Sequence, residues 1–377
     1  MIGSYRTCGK FATGGNESVA AYPRGEVVVE NLPKIAVTMG DPAGIGPEIA
    51  VRACLSPRVT ELCQPVVFGD PEIIQEAATR FARPDVKVVA LEEPNLPDVP
   101  SKAPESKNQL FVVKCTDVPK TELRPGVVQP AAGRAAAEAV IHATKQVLKG
   151  NFQAVVTAPL NKEALQLAGF AYPGHTELLA ELCGVKSFAM LLYLPPPVGS
   201  PRKAGLAVAH VTLHMAMREI FDKLNSPSVL EKITLLHQFL HRLGIIQPKI
   251  GVAALNPHGG EHGIFGNEEQ QIIAPAVLAA RERGIEAEGP LPADTLFLRA
   301  VQGEFDGIVA MYHDQGHIPI KLLGMHRAVN VTVGLPIIRV SVAHGTAFDI
   351  AWQGQANPES MIEAICLAAR LATSPAG

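Results

Sequence analysis

The sequence predicts an α/β fold with covered, largely parallel sheets, and three observations carry that expectation. Short β-rich runs alternate with helical patterns along the chain. The strand interiors are apolar throughout instead of alternating with polar residues. The 33 glycines and 31 prolines are spread out as turns between short elements. At 377 residues the chain exceeds one ordinary domain, so two are expected.

The first strand is expected at Lys34–Met39, ending at Gly40. Val66–Phe68 precedes a helix from about Pro71, and Val86–Leu91 follows as another strand. Ala131–Leu148 is Ala-rich and closed by Gly150, the composition and stop of a helix. Further strands are expected at Ala154–Val156, Met190–Leu194, Ala207–Ala209, Ile250–Ala254, Ile308–Met311, Val329–Val333 and Ile338–Val342. Helices are expected over Met215–Leu224, Val229–Leu243, Glu268–Arg283 and Glu359–Leu371. Pro195–Lys203 (PPPVGSPRK) reads as a surface loop, because its prolines remove backbone donors. No internal repeat is present.

Composition narrows the function. With 47% hydrophobic and 18% charged residues the chain can bury a large core. A formal charge of −3 argues against nucleic acid or an acidic membrane surface as partner. The six cysteines (Cys8, Cys54, Cys63, Cys115, Cys183, Cys366) contain no CxxC pair, which fits a reducing compartment. No apolar run reaches the roughly 18 residues needed to span a bilayer. Residues 1–33 lack the apolar centre of a secretory signal and read as a flexible extension; a mis-assigned start or an organelle leader are lesser readings. A cytoplasmic protein is expected.

In α/β sheets ligands bind beyond the carboxyl ends of the strands, and several chemically capable segments fall there. Gly40-Asp41-Pro42-Ala43-Gly44-Ile45-Gly46-Pro47-Glu48 could approach a ligand closely, but its spacing is not GxGxxG, and a plain turn with a helix starting at Pro47 explains it equally well. Five of the twelve histidines follow strands or open turns: His175, His214, His258, His313 and His344. A lone histidine is more often structural, yet three have suggestive neighbours. His258 lies in an Asn-Pro-His-Gly-Gly-Glu turn, Asp314 and Gln315 follow His313, and His214 ends a strand. Together they make a candidate divalent-metal site, although spacing alone cannot establish it. Lys162, Lys321 and Arg339 are candidate anion holders. Arg339 interrupts an apolar run, so its charge needs a partner: a bound phosphate or an internal carboxylate, at even odds.

Eight ordered segments resemble the 4-hydroxythreonine-4-phosphate dehydrogenase family, including its threonate/erythronate-phosphate sister group. They are MGDPAGIGPE (39–48), TAPLNK (157–162), GHTE (174–177), NPHGGE (256–261), GPLPADTLF (289–297), YHDQG (312–316), VNVTVGLPIIR (329–339) and HGTAFDIA (344–351). The resemblance implies two α/β/α lobes around a central cleft, similar to isocitrate and isopropylmalate dehydrogenases. Residues 34–155 plus 330–377 would form the first lobe, with the cofactor loop. Residues 156–329 would form the second, with the metal ligands and dimer interface. It implies a divalent metal (zinc, alternatively cobalt or magnesium) on His214, His258 and His313, with His210 the less favoured histidine of AHVTLH. Substrate contacts would be His175, Thr176, Lys321, Asn330 and Arg339.

The stretch His344, Gly345, Thr346, Ala347 and Asp349, with Asn357, looks like the loop that holds the adenosine half of the cofactor. Asp349 there would repel a 2′-phosphate, so NAD is expected over NADP. The implied reaction oxidises 4-phosphohydroxy-L-threonine to a β-keto acid that loses carbon dioxide, giving 3-amino-2-oxopropyl phosphate. Asp314 would orient a ligand or relay a proton, and Lys162 would protonate the enolate. A homodimer with a shared active site is also implied. Ala343, where the family carries an Asp, and His317, where it carries an aliphatic residue, leave room for a 4-phospho-threonate or erythronate substrate. A relative oxidising a dihydrodiol dicarboxylate and a non-catalytic binding protein keeping the fold are the remaining readings.

Overall fold

A computed structural model describes residues 32–92, 108–119, 121–196 and 205–374. Residues 1–31 of the expected extension and most of the PPPVGSPRK loop lie outside the described residues. The strands, in chain order, are β1 (Lys34–Thr38), β2 (Gln64–Gly69), β3 (Lys87–Leu91), β4 (Gln109–Lys114), β5 (Ala154–Thr157) and β6 (Ala189–Leu194), then β7 (Leu206–His210), β8 (Ile250–Ala253), β9 (Ala287–Leu291), β10 (Gly307–Ala310), β11 (Val329–Val333) and β12 (Ile338–Val342). They form one sheet in the order β3-β4-β2-β1-β5-β12-β11-β6-β7-β10-β8-β9.

The sheet has two parallel halves. From β3 to β12 every neighbouring pair is parallel, and so is every pair from β7 to β9. Between them β11 and β6 pair antiparallel with each other and with their outer neighbours, so strand direction reverses at the seam. The period-two geometry of a strand sends successive side chains to opposite faces. Ile35 and Val37 of β1 accordingly join a core cluster that continues across to Ile250 and Val252 of β8. On the other face the core is split: Ala36, Val66, Phe68 and Val155 form one cluster, and Val208, Ala253, Ile308 and Ala310 another. Both faces are covered, which is why the strands read as unbroken apolar runs.

Helices cover those faces. Pro130–Leu148 buries Ala135, Ala139 and Ala143, small side chains that let it lie close to the sheet. Asp70 caps the helix Pro71–Phe81 by accepting the Glu72 and Ile73 amides. Three expectations need correcting. The helix expected over Met215–Leu224 is a short 3₁₀ turn (Met217–Glu219) followed by one α turn (Ile220–Lys223). Glu268–Arg283 begins as a π-helix, Glu269–Ile273, before the α-helix Ala274–Glu282. The stretch after β10, given no helix by the sequence, forms the helix His313–Gly324, which His313 opens and which carries Lys321 in its last turn and Pro319 inside it.

Candidate functional site

In each half the site residues follow the carboxyl ends of neighbouring parallel strands. Asp41, Ala158 and His344 follow β1, β5 and β12. His214, His313 and His258 follow β7, β10 and β8. Both groups flank the β11–β6 seam, across which strand direction reverses.

Arg339, on β12, is 3% exposed. Its guanidinium donates to the hydroxyls of Thr332 (2.9 Å) and Thr157 (2.8 Å), while Nε has no partner. No carboxylate lies within ion-pair distance among the described residues, and burial pulls its pKa down to about 10. Taking a guanidinium out of water without an anion costs several kcal/mol, and the acidic charge that acts on this one is that of Glu177.

His175 opens the helix His175–Cys183 with its Nε2 shut off from solvent and unpartnered. Burial, then the positive charge of Arg339, push its pKa well below the ordinary range, so the ring is neutral. Asn330 donates to the Val342 carbonyl (3.2 Å) and leaves its buried Oδ1 unpartnered. His344 Nε2 is likewise buried and free. These are buried polar atoms without partners among the described residues, on or after β11 and β12 and on the helix that His175 opens. Thr176 follows His175 in that helix, and Lys162 opens the helix Lys162–Leu167, capped by Asn161.

The second group is a set of imidazoles. His214 and His313 lie with ring centroids 5.5 Å apart. His313 Nδ1 is 2.6 Å from Asp314 Oδ1, leaving Nε2 free to bind a cation; a carboxylate behind a histidine is a common arrangement for a metal ligand. Gln315 fixes the start of this helix by accepting the Met311 amide (2.6 Å) and donating to the Ala254 carbonyl (2.7 Å). Burial, then His313 and Lys162, lower the pKa of His214, which keeps its nitrogen lone pair available.

Two rings that the sequence did not place in the site belong to this cluster: His317 stacks on His313, and His210 packs on His317. The i, i+4 spacing of His313 and His317 was a usable signal, whereas β7 is buried on both faces and nothing in its pattern singles out His210. His258 is not part of the cluster. It is exposed and begins five consecutive left-handed residues, His258 to His262, with φ from 44° to 76°. Buried Glu269 pins the base of that turn by accepting the Leu255 and Asn256 amides (2.9 and 2.7 Å). Among the described residues no three His, Cys, Asp or Glu side chains gather closely enough to hold a metal. Two imidazoles with free lone pairs fit a divalent cation; the third expected ligand stands apart.

Lys162 and Glu177 connect the two groups. The Lys162 charge acts on both His175 and His214, and that of Glu177 on both Arg339 and His214.

The segment expected to hold the cofactor is braced against the loop after β1. The Ile45 amide donates to the Thr346 carbonyl (3.0 Å), and Trp352 Nε1 to the Pro42 carbonyl (2.8 Å). Ala347 has φ 42°, Asp349 is exposed, and a side chain at Gly345 would meet nothing within 4 Å. Asn357 is partly committed, since its Oδ1 accepts the Glu359 amide (2.9 Å) at the start of the last helix.

Known proteins agree with this architecture. The family model described as "Pyridoxal phosphate biosynthetic protein PdxA" matches residues 61–368. The D-threonate 4-phosphate dehydrogenase of Salmonella typhimurium is 46% identical over 341 residues, covering 90% of this chain and 98% of that protein. The 4-hydroxythreonine-4-phosphate dehydrogenase of Geobacter metallireducens is 45% identical over 343 residues, covering 90% and 96%. A crystal structure of 4-hydroxythreonine-4-phosphate dehydrogenase from Klebsiella pneumoniae superimposes with a TM-score of 0.79 at 44% identity, covering 91% of this chain and 99% of that one. With a buried, carboxylate-free arginine and an imidazole cluster beyond the strand ends, the chain belongs to the PdxA family of dehydrogenases that act on a secondary alcohol.

Proposed function

We propose that this chain is an NAD-dependent, divalent-metal-dependent dehydrogenase that oxidises and decarboxylates a four-carbon hydroxy acid 4-phosphate. The observation that carries the reading is Arg339, a buried cation whose partners among the described residues are two hydroxyls and whose Nε has no acceptor there. Arg339, neutral His175, Thr176, Asn330 and Lys321 would hold the substrate's anionic groups. His344, Gly345, Thr346, Ala347, Asp349 and Asn357 would hold the cofactor, with NAD favoured over NADP because exposed Asp349 would repel a 2′-phosphate.

His214, His313 and His258 would hold the cation, zinc being first choice and cobalt or magnesium alternatives. A cation held there would supply Lewis acidity, lowering the pKa of the substrate's C3 hydroxyl and balancing the negative charge left by loss of carbon dioxide. Asp314 holds the His313 ring through Nδ1, and Lys162, whose charge acts on both groups, would deliver the proton to the enolate. A homodimer would bring His258 into the coordination sphere. Exposed Ile264 and Phe265 after the turn that carries His258, and exposed Leu322 and Met325 at the end of the helix that His313 opens, would suit such an interface. The two-lobe division, 34–155 with 330–377 against 156–329, and a cytoplasmic location belong to the same proposal. No described helix is long and apolar enough to cross a membrane.

Two substrates fit the family, differing at C2. 4-Phosphohydroxy-L-threonine carries an amine there and D-threonate 4-phosphate a hydroxyl. Position 343 favours the second, because Ala343 packs against an apolar cluster and offers no carboxylate to an ammonium group. Its 3-oxo acid would release carbon dioxide to leave a phosphorylated dihydroxyketone. NADH formation with each substrate, after chelation and again after metal is restored, tests the reading. Faster turnover of D-threonate 4-phosphate, lost on chelation, is expected. No turnover of either substrate would refute it.

A further inference from the structure

His317 has no assigned part in the chemistry, yet it makes the tightest ring contact in the site. Its imidazole lies parallel to that of His313, with centroids 3.8 Å apart and planes 11° apart. Its Nδ1 is 3.2 Å from the His313 carbonyl oxygen and 3.1 Å from His210 Nε2. A carbonyl only accepts, so Nδ1 of the neutral His317 ring carries the proton and His210 Nε2 accepts it as well. That fixes the His317 ring on two sides. His210 itself ends β7 and is 1% exposed. The helix backbone sits hard against it: a Cβ at Gly316 would fall 2.3 Å from His210 Nε2.

His313 by contrast is loosely held on its own account. Its side chain is 33% exposed, and Asp314, bonded to its Nδ1, is 67% exposed, so water competes for that bond. A ligand must hold its ring within about 10–20° of the productive plane. The stiff constraint is therefore the buried ring beneath it, not the solvated carboxylate beside it.

We propose that His317, anchored by His210, is a positioning residue that sets the ring plane of His313 for cation binding. This rests on the metal-dependent reading above. It assigns no ligand role to His317; the ring is a wall whose orientation is fixed by the sheet.

Two substitutions separate the wall from its anchor. His317→Asn keeps a donor for the His313 carbonyl and His210 but removes the ring face. His317→Phe keeps a flat face without the donor. Metal-free protein is titrated with Co²⁺ against a chelating indicator, and visible absorption of the bound ion is recorded, with thermal melts to confirm folding. The Asn variant is expected to bind Co²⁺ about 10–100-fold more weakly with shifted bands, as for other residues that orient metal ligands. The Phe variant is expected to stay near the unsubstituted protein in both. An Asn variant with unchanged affinity and spectrum, or a Phe variant as weak as Asn, would overturn the proposal while the metal reading stands. Failure of the unsubstituted protein to bind Co²⁺ would overturn both.

Discussion

The anion cradle around Arg339 and the imidazole cluster around His313 are finished to different degrees within one chain. Arg339 is buried, bonded to hydroxyls on β5 and β11, and its charge acts on His175, whose Nε2 is unpartnered. The imidazole cluster has two expected ligands converging, while the third, His258, lies on an exposed left-handed turn. The difference follows from where each residue is rooted. A side chain on a central strand is placed by the ladder itself, whereas one on a loop is placed by whatever packs over it. Under the proposed function, binding of an anion would relieve the buried charge of Arg339, and a second protomer would complete the metal site.

The largest effect is expected where a metal ligand is lost. His313→Ala and His258→Ala should each lower metal-dependent turnover by at least about 10³-fold, because several kcal/mol of charge stabilisation disappears. Thermal melts should show both variants folded. If His258→Ala leaves turnover unchanged, the exposed turn has no part in the site and the contrast between the two regions is misdrawn.

Arg339→Met should split stability from activity. The ligand-free protein should gain about 1–4 kcal/mol, since an uncompensated buried charge is replaced by a well-packed apolar chain. Meanwhile kcat/KM should drop about 10²-fold through loss of charged hydrogen bonds to the substrate. Equilibrium denaturation and steady-state kinetics check the two halves separately. A less stable variant would mean that Arg339 is already balanced within the protein.

The smallest effect concerns Asp41. Its side chain is fully buried, accepts the Ala43 amide (2.8 Å) and leaves Oδ2 unpartnered, and burial lifts its pKa to about 6. The folded protein therefore prefers the protonated form. The contribution is favourable below the unfolded pKa near 4 and is lost as pH rises through about 6. Asp41→Asn should match the parent near pH 4 and exceed it in stability above pH 6, by at most about 3 kcal/mol. Denaturation curves at pH 4 and pH 7 with equal gaps would contradict this.

Much of the fold was legible in the sequence because central strands carry unbroken apolar runs. Val329–Val333 and Ile338–Val342 lie where expected, and the helix Pro130–Leu148 begins one residue early. The misses have physical causes. β9 (AEGPL) sits at the sheet edge and contains Gly289 and Pro290, so its composition reads as a turn. The helix His313–Gly324 carries Pro319, which argues against a helix locally, although burial of Gln315, His317 and Ile320 holds it in place. Arg339 was identifiable as a charge inside an apolar run, and among the described residues no carboxylate lies within ion-pair distance of it. His210 and His317 could not be paired from sequence, because their contact depends on β7 and β10 lying side by side, 107 residues apart along the chain.

Anomalous diffraction from crystals of the zinc-loaded protein tests the central assignment most directly. One peak is expected within bonding distance of Nε2 of His214 and His313, with a His258 imidazole closing the coordination and electron density for an anion beside Arg339. Zinc bound elsewhere, or held without His214 and His313, would contradict it.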